Sequence, residues 1–287
     1  SSAASDVYKR QATNNICTNG GHGIYFDDPV SDDLSVGSDI SITGNLIANN
    51  TNSGIHFNSL IDNSTVAISN NTIAQNPDSG IRTTVIQDSN LTIQNNTIGE
   101  DGTYTGNGTN GIYLSGPVDT VDASISGNTI NGNTGHGICS DFYITDNSNV
   151  DIADNTITNN TGDGIYISDA SAGSTVTVSG NTIESNDADG IDIGSIGIIP
   201  FTAGTELELE PEAPAVFTID NNDINLNAER GIDIYEIIEG TLNIQDNIIN
   251  TNDYGIDIEN TDGGAVTVSG NAVASNDGEG IYLEYVH

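Results

Sequence analysis

The chain contains no methionine, no tryptophan, two cysteines and only four lysines and arginines in 287 residues. Each scarcity excludes something. Against 41 aspartates and glutamates those four cations leave a formal charge of −37, and phosphate contacts need clustered Lys and Arg, so no nucleic-acid partner is expected. No apolar run approaches the roughly 20 residues of a membrane-spanning helix, so no membrane span is expected. Lacking any methionine, the chain is expected to be a processed product or a fragment. Cys17 and Cys139 occupy different positions of the repeat described below, about four units apart, which excludes a disulfide between them. With 35% hydrophobic and 5% aromatic residues, composition alone would permit disorder. The regularity of the sequence excludes it.

A Gly-Ile pair recurs at Gly23, Gly54, Gly80, Gly111, Gly137, Gly164, Gly190, Gly231 and Gly255, with Gly280 closing the series, at spacings of 24 to 31 residues and one of 41. Asparagines lie four positions before nearly all of these glycines, as at Asn50, Asn76, Asn133, Asn160 and Asn186. A second series lies nine before, as at Asn45, Asn71, Asn128, Asn155 and Asn181. Between these anchors run short segments that alternate with period 2, such as Val66-Ala67-Ile68, Thr182-Ile183 and Gly164-Ile165-Tyr166-Ile167. Strands this short bury no face alone, but stacked coil upon coil they enclose a column of Ile and Val. The asparagines suit the corners, because Asn tolerates left-handed backbone and its amide bonds neighbouring main chain. In register they can also bond one another up the stack. The glycine before each Ile is expected to provide positive φ or tight stacking.

On these Asn-x-Ile, Asn and Gly-Ile-x-Ile elements, Asn14 to Leu283 resembles the right-handed parallel β-helix repeat family, the fold shared by pectate lyases and many bacterial and archaeal surface proteins. The resemblance implies an all-β solenoid of about ten coils with three short strands per coil. It does not choose a function, since the family includes lyases, hydrolases, adhesins and inert stalks. Residues 1–13 read as an out-of-register tail and 14–287 as the β-helix, a segment of a longer solenoid. Its flat ends invite end-to-end self-association. The 195–215 insertion runs from apolar to acidic and could wall a groove.

The residue after each Gly-Ile points outward if Ile points in. That column reads Tyr25, His56, Arg82, Tyr113, Cys139, Tyr166, Asp192, Asp233, Asp257, Tyr282. Three consecutive aspartates, about 4.8 Å apart per coil, must raise the proton affinity of at least one member or recruit a cation. Asp192, Asp233 and Asp257, with Asp189 and Asp253 from the acidic turn before Gly-Ile, are the candidate calcium ligands, because hard oxygen donors at repeated spacing suit that ion. The same three aspartates are the candidate acid, base or nucleophile of a polysaccharide-active enzyme, with Tyr166 and Tyr282 placed to stack on sugar rings. The family's pectic-acid hydrolases carry Gly-His-Gly and Arg-x-Lys elements. Gly21-His22-Gly23 and Gly135-His136-Gly137 look like the first, but lie coils away from the aspartates, and neither Arg82 nor Arg230 has a neighbouring Lys. The expectation is therefore an extracellular or cell-surface structural and binding module with an acidic, calcium-binding face, with a polysaccharide hydrolase or lyase as the competing reading.

Overall fold

The computed structural model describes residues 9–12, 14–27, 29 and 30, 38–171, 173–197 and 213–285, and among them every regular element is a β-strand. Three parallel sheets wind into one right-handed solenoid. The first holds ten strands, from Lys9–Ala12 and Asp39–Thr43 to Ala265–Ser269. The second also holds ten, from Asn15–Cys17 to Ala272–Ala274. The third runs from Ile24–Phe26 to Ile281–Leu283 and includes three extra short strands. Lys9–Ala12 pairs in register with Asp39–Thr43. Paired backbone thus begins inside the stretch read as a tail. Residues 198–212, most of the insertion, lie outside the described residues.

The alternation read from the sequence is what faces inward. In Thr65–Ser69 the side chains of Val66 and Ile68 are buried, while Thr65 faces water. Register stacks like on like: Ile138, Ile165, Ile191, Ile232 and Ile256 follow one another through five coils, all at most 1% exposed. β-Branched side chains suit a pleated, half-buried surface, and the parallel ladder needs no long-range crossover here because each coil supplies its own.

Both asparagine series form ladders. Asn155 Nδ2 donates to Asn181 Oδ1 at 3.0 Å and to Ile125 O at 2.8 Å, while its Oδ1 accepts the N–H and Nδ2 of Asn128 at 2.9 and 3.0 Å. The second ladder repeats this pattern, as Asn160 with Asn186, Ile130 and Asn133. The left-handed bend, however, belongs to the residue before most of the ladder asparagines: Asn70, Asn95, Asp154 and Asn221 at the first corner, Asn49, Gln75 and Asn159 at the second, all with φ between 53° and 55°. The ladder asparagines need ordinary backbone so that their amides point inward. The expectation that they take the bend themselves is corrected accordingly.

The Gly-Ile glycines also resolve one way. None has positive φ. A Cβ on Gly164 would instead lie 2.4 Å from Ile183 Cγ2 and 2.6 Å from Gly190 O, so close approach of the coils is the reason for glycine. A third, unanticipated polar ladder closes the remaining corner. Ser64 Oγ accepts the Ser38 N–H at 3.1 Å, Ser89 Oγ the Ser64 N–H at 3.0 Å, and Ser148 Oγ the Val121 N–H at 3.1 Å. It stops at Ser174, whose buried Oγ has no partner among the described residues, because the Ser148 N–H turns back to Thr145 O.

Candidate functional site

The outer face of the third sheet carries two adjacent columns: the residue before each Gly-Ile and the residue after it. In the later coils register sets Tyr166 against Asp192, Asp192 against Asp233, Asp233 against Asp257, and Asp257 against Tyr282. The column before the glycines forms its own ladder, in which each side chain takes the backbone N–H one coil onward. Asn110 Oδ1 accepts from His136 N at 2.9 Å, His136 Nδ1 from Asp163 N at 3.1 Å, Asp163 Oδ1 from Asp189 N at 2.9 Å, and Asp189 Oδ1 from Arg230 N at 2.5 Å. This explains why Asp163 and Asp189, at 6% and 5% exposure, are buried at all.

Arg230 is the hub of the acidic strip. Its Nε donates to Asp257 Oδ2 at 2.9 Å, while one terminal nitrogen lies 3.3 Å from Asp233 Oδ2 and 4.0 Å from Asp189 Oδ2. On either side of it stands a carboxylate triad with three oxygens within 4.8 Å of one another: Asp163, Asp189 and Asp192, and Asp233, Asp257 and Glu259. Burial pushes the Asp189 carboxyl up to about 8 and the Asp192 carboxyl up to about 7, the latter helped by the charges of Asp163 and Asp233. Asp233 is pushed up to about 6, again by burial first, with Arg230 opposing and Asp257 and Glu259 adding to the rise. The strip therefore stores protons near neutral pH and offers hard oxygen ligands.

The structure brings Asp192, Asp233 and Asp257 together in consecutive coils, with Asp189 beside them. Asp253 is exposed, belongs to neither triad, and uses its N–H to bond Glu229 O at 2.7 Å. Tyr166 is half-buried and stacks on His136, with centroids 5.2 Å apart. Tyr282 is 39% exposed and its hydroxyl donates to Glu284 Oε2 at 3.2 Å. The sequence places Asp163 in the same acidic turn as Asp189 and Asp253, whereas His136 and Glu259 were passed over as members of this face. Glu259 was findable, because it follows Asp257 by two positions in one strand and so shares its face. His136 Nδ1 also lies 2.9 Å from Asp163 Oδ2.

The earlier coils carry different chemistry on the same face. Ser53 N–H donates to His22 Nδ1 at 3.2 Å, so the His22 proton is on Nε2, 3.3 Å from His56 Nδ1. That leaves the His56 proton on its buried Nε2, which has no partner among the described residues, in a ring whose pKa burial lowers to about 4. Tyr25 stacks on His22 at 4.8 Å, and the Arg82 guanidinium lies 5.2 Å above the Tyr113 ring. Cys139, although it shares the outward column, is 1% exposed, and burial with the nearby Asp141 carboxylate pushes its thiol up, away from nucleophilic use. Both cysteines are free. No helix among the described residues is long and apolar enough to cross a membrane.

The family model described as "Right handed beta helix region" matches residues 60–198 and 216–285, and the chain belongs to that family. Comparison with curated proteins finds no match. Among solved structures the chain is similar to the A-module of the mannuronan C-5 epimerase AlgE4 of Azotobacter vinelandii, at 12% identity and TM-score 0.44, over 98% of this chain and 90% of that one. It is also similar to the Dettilon tailspike protein, at 14% identity and TM-score 0.31, over 87% of this chain and 63% of that one.

Proposed function

We propose that this chain is a structural and binding module, acting outside the cell or on its surface, whose acidic sheet face takes up a divalent cation, most readily calcium. The observation that carries this reading is the pair of buried carboxylate oxygens, Asp233 Oδ1 and Asp257 Oδ1, that have no hydrogen-bond partner among the described residues. A buried acceptor without a donor is costly, and a buried charge more so, unless a counter-charge completes the site. All-carboxylate oxygen ligation favours calcium or magnesium over zinc or copper. The solenoid itself is a scaffold that spaces these groups one per coil. In the test, millimolar calcium at low ionic strength raises the melting temperature by several degrees, as expected for a ligand that binds only the folded state. No shift would remove the reading.

A second reading, a polysaccharide-active enzyme, draws on the raised proton affinity of Asp192 and Asp233, at about 7 and about 6. A carboxyl that keeps its proton near neutral pH can protonate a glycosidic oxygen, while a second carboxyl in the column, Asp257, serves as base or nucleophile. Tyr166 and Tyr282 bracket these carboxyls along the column and offer faces to sugar rings. Neutral and acidic glycans screened for release of reducing or unsaturated ends, with and without calcium, test it. Activity that disappears in Asp233→Asn would replace the binding reading with the enzymatic one.

A further inference from the structure

The two carboxylate triads carry equal formal charge, but their oxygens are not equally free. In the first, Asp163 Oδ1 accepts the Asp189 N–H and Asp189 Oδ1 accepts the Arg230 N–H, while Asp163 Oδ2 faces His136. Those oxygens close coil-to-coil bonds, and an ion there would have to open the ladder. In the second, Asp257 is only 6% exposed, and it and Asp233 each hold Oδ1 buried without a partner among the described residues. Their other oxygens are taken by Arg230, at 2.9 Å from Asp257 Oδ2 and 3.3 Å from Asp233 Oδ2. Glu259, on the same strand and the same face as Asp257, supplies a third oxygen within 4.8 Å. Three carboxylates and one guanidinium sum to the charge that a single dication neutralises.

We infer that Asp233, Asp257 and Glu259 together bind one hard dication, and that Arg230 is a tethered counter-ion that weakens this binding by holding the same two aspartates from their other oxygens. The inference deepens the cation reading above and rests on it. Arg230 stands on the strand of Asp233, reaches Asp257 one coil on and Asp189 one coil back, and so separates the two triads. Its guanidinium stabilises the empty strip and repels the ion that would complete it. The expected ligand is calcium or manganese, since every donor is a carboxylate oxygen.

Calorimetric titration of the full chain with calcium chloride at low ionic strength tests both halves. The wild type takes up one ion per chain, and Asp257→Asn and Glu259→Gln abolish the uptake. Arg230→Gln tightens binding at least about tenfold, because a unit positive charge is removed from within a few ångströms of a dication. Arg230→Lys stays within about threefold of the wild type, since the ammonium keeps that charge. Circular dichroism establishes that each variant folds, and the Lys variant decides the matter if the Gln variant does not. Two ions per wild-type chain, or loss of uptake in Asp192→Asn with retention in Asp257→Asn, would overturn the assignment. Equal or weaker binding by Arg230→Gln, or tighter binding by Arg230→Lys, would overturn the role of Arg230 alone. Absence of uptake by wild type and Arg230→Gln alike would remove the cation reading itself.

Discussion

Two kinds of polar column climb this solenoid, one side chain per coil, and they behave in opposite ways. At the corners, asparagine amides donate and accept in equal measure, so the Asn155 side chain makes four hydrogen bonds to three residues and leaves nothing unpaired. On the third sheet, carboxylates climb with the same spacing but can only accept, so charge accumulates, proton affinities rise, and Asp233 and Asp257 each keep an oxygen with no partner among the described residues. The same periodicity yields a closed structural ladder when the repeated group is amphoteric and an open binding strip when it is not. Stability belongs to the first column and reactivity to the second.

Asn155→Ala, at a position 1% exposed, strips partners from Asn128, Asn181 and Ile125 at once, and urea unfolding is expected to show a loss of roughly 3–5 kcal/mol. A loss below about 1 kcal/mol would mean that the ladder is decoration. Gly164→Ala is expected to cost roughly 2–4 kcal/mol, because neither the Gly190 carbonyl nor the core Ile183 can retreat from the added methyl.

Asp189→Asn should act in the other direction. The amide oxygen keeps the bond from the Arg230 N–H while the buried charge disappears. The folded-state carboxyl, at about 8, lies above its unfolded value near 3.8, so its contribution to stability is fully present below about pH 4 and is lost as pH rises through 8. Without divalent ion, the wild-type melting temperature is therefore expected to fall from pH 5 to pH 9, and Asp189→Asn to flatten that slope and gain about 1–2 kcal/mol at pH 8. A parallel slope in the variant would place the titration elsewhere. The smallest effect is expected for Tyr166→Ala, which removes a half-buried stacking partner of His136 and should cost about 0.5–1 kcal/mol in the same unfolding assay.

What the sequence made legible follows the same division. The fold was readable because Gly-Ile and the paired asparagines repeat in nearly every coil, and a feature enforced ten times outweighs any single residue. The stacking of Asp192, Asp233 and Asp257 followed from that register. The residue that takes the left-handed bend was not legible, because asparagine often stands both there and in the ladder, as Asn70-Asn71 and Asn95-Asn96 do. The serine ladder was hidden because Val121 interrupts it and serines are scattered through every coil. Nor could sequence show which carboxylate oxygens are spent on backbone N–H groups, the feature that separates Asp163 and Asp189 from Asp233 and Asp257.

Anomalous diffraction from crystals soaked in manganese chloride locates directly where an ion enters the acidic strip. The prediction is a single strong peak bounded by oxygens of Asp233, Asp257 and Glu259. An empty strip, or peaks dispersed over exposed carboxylates such as Asp253, would contradict it.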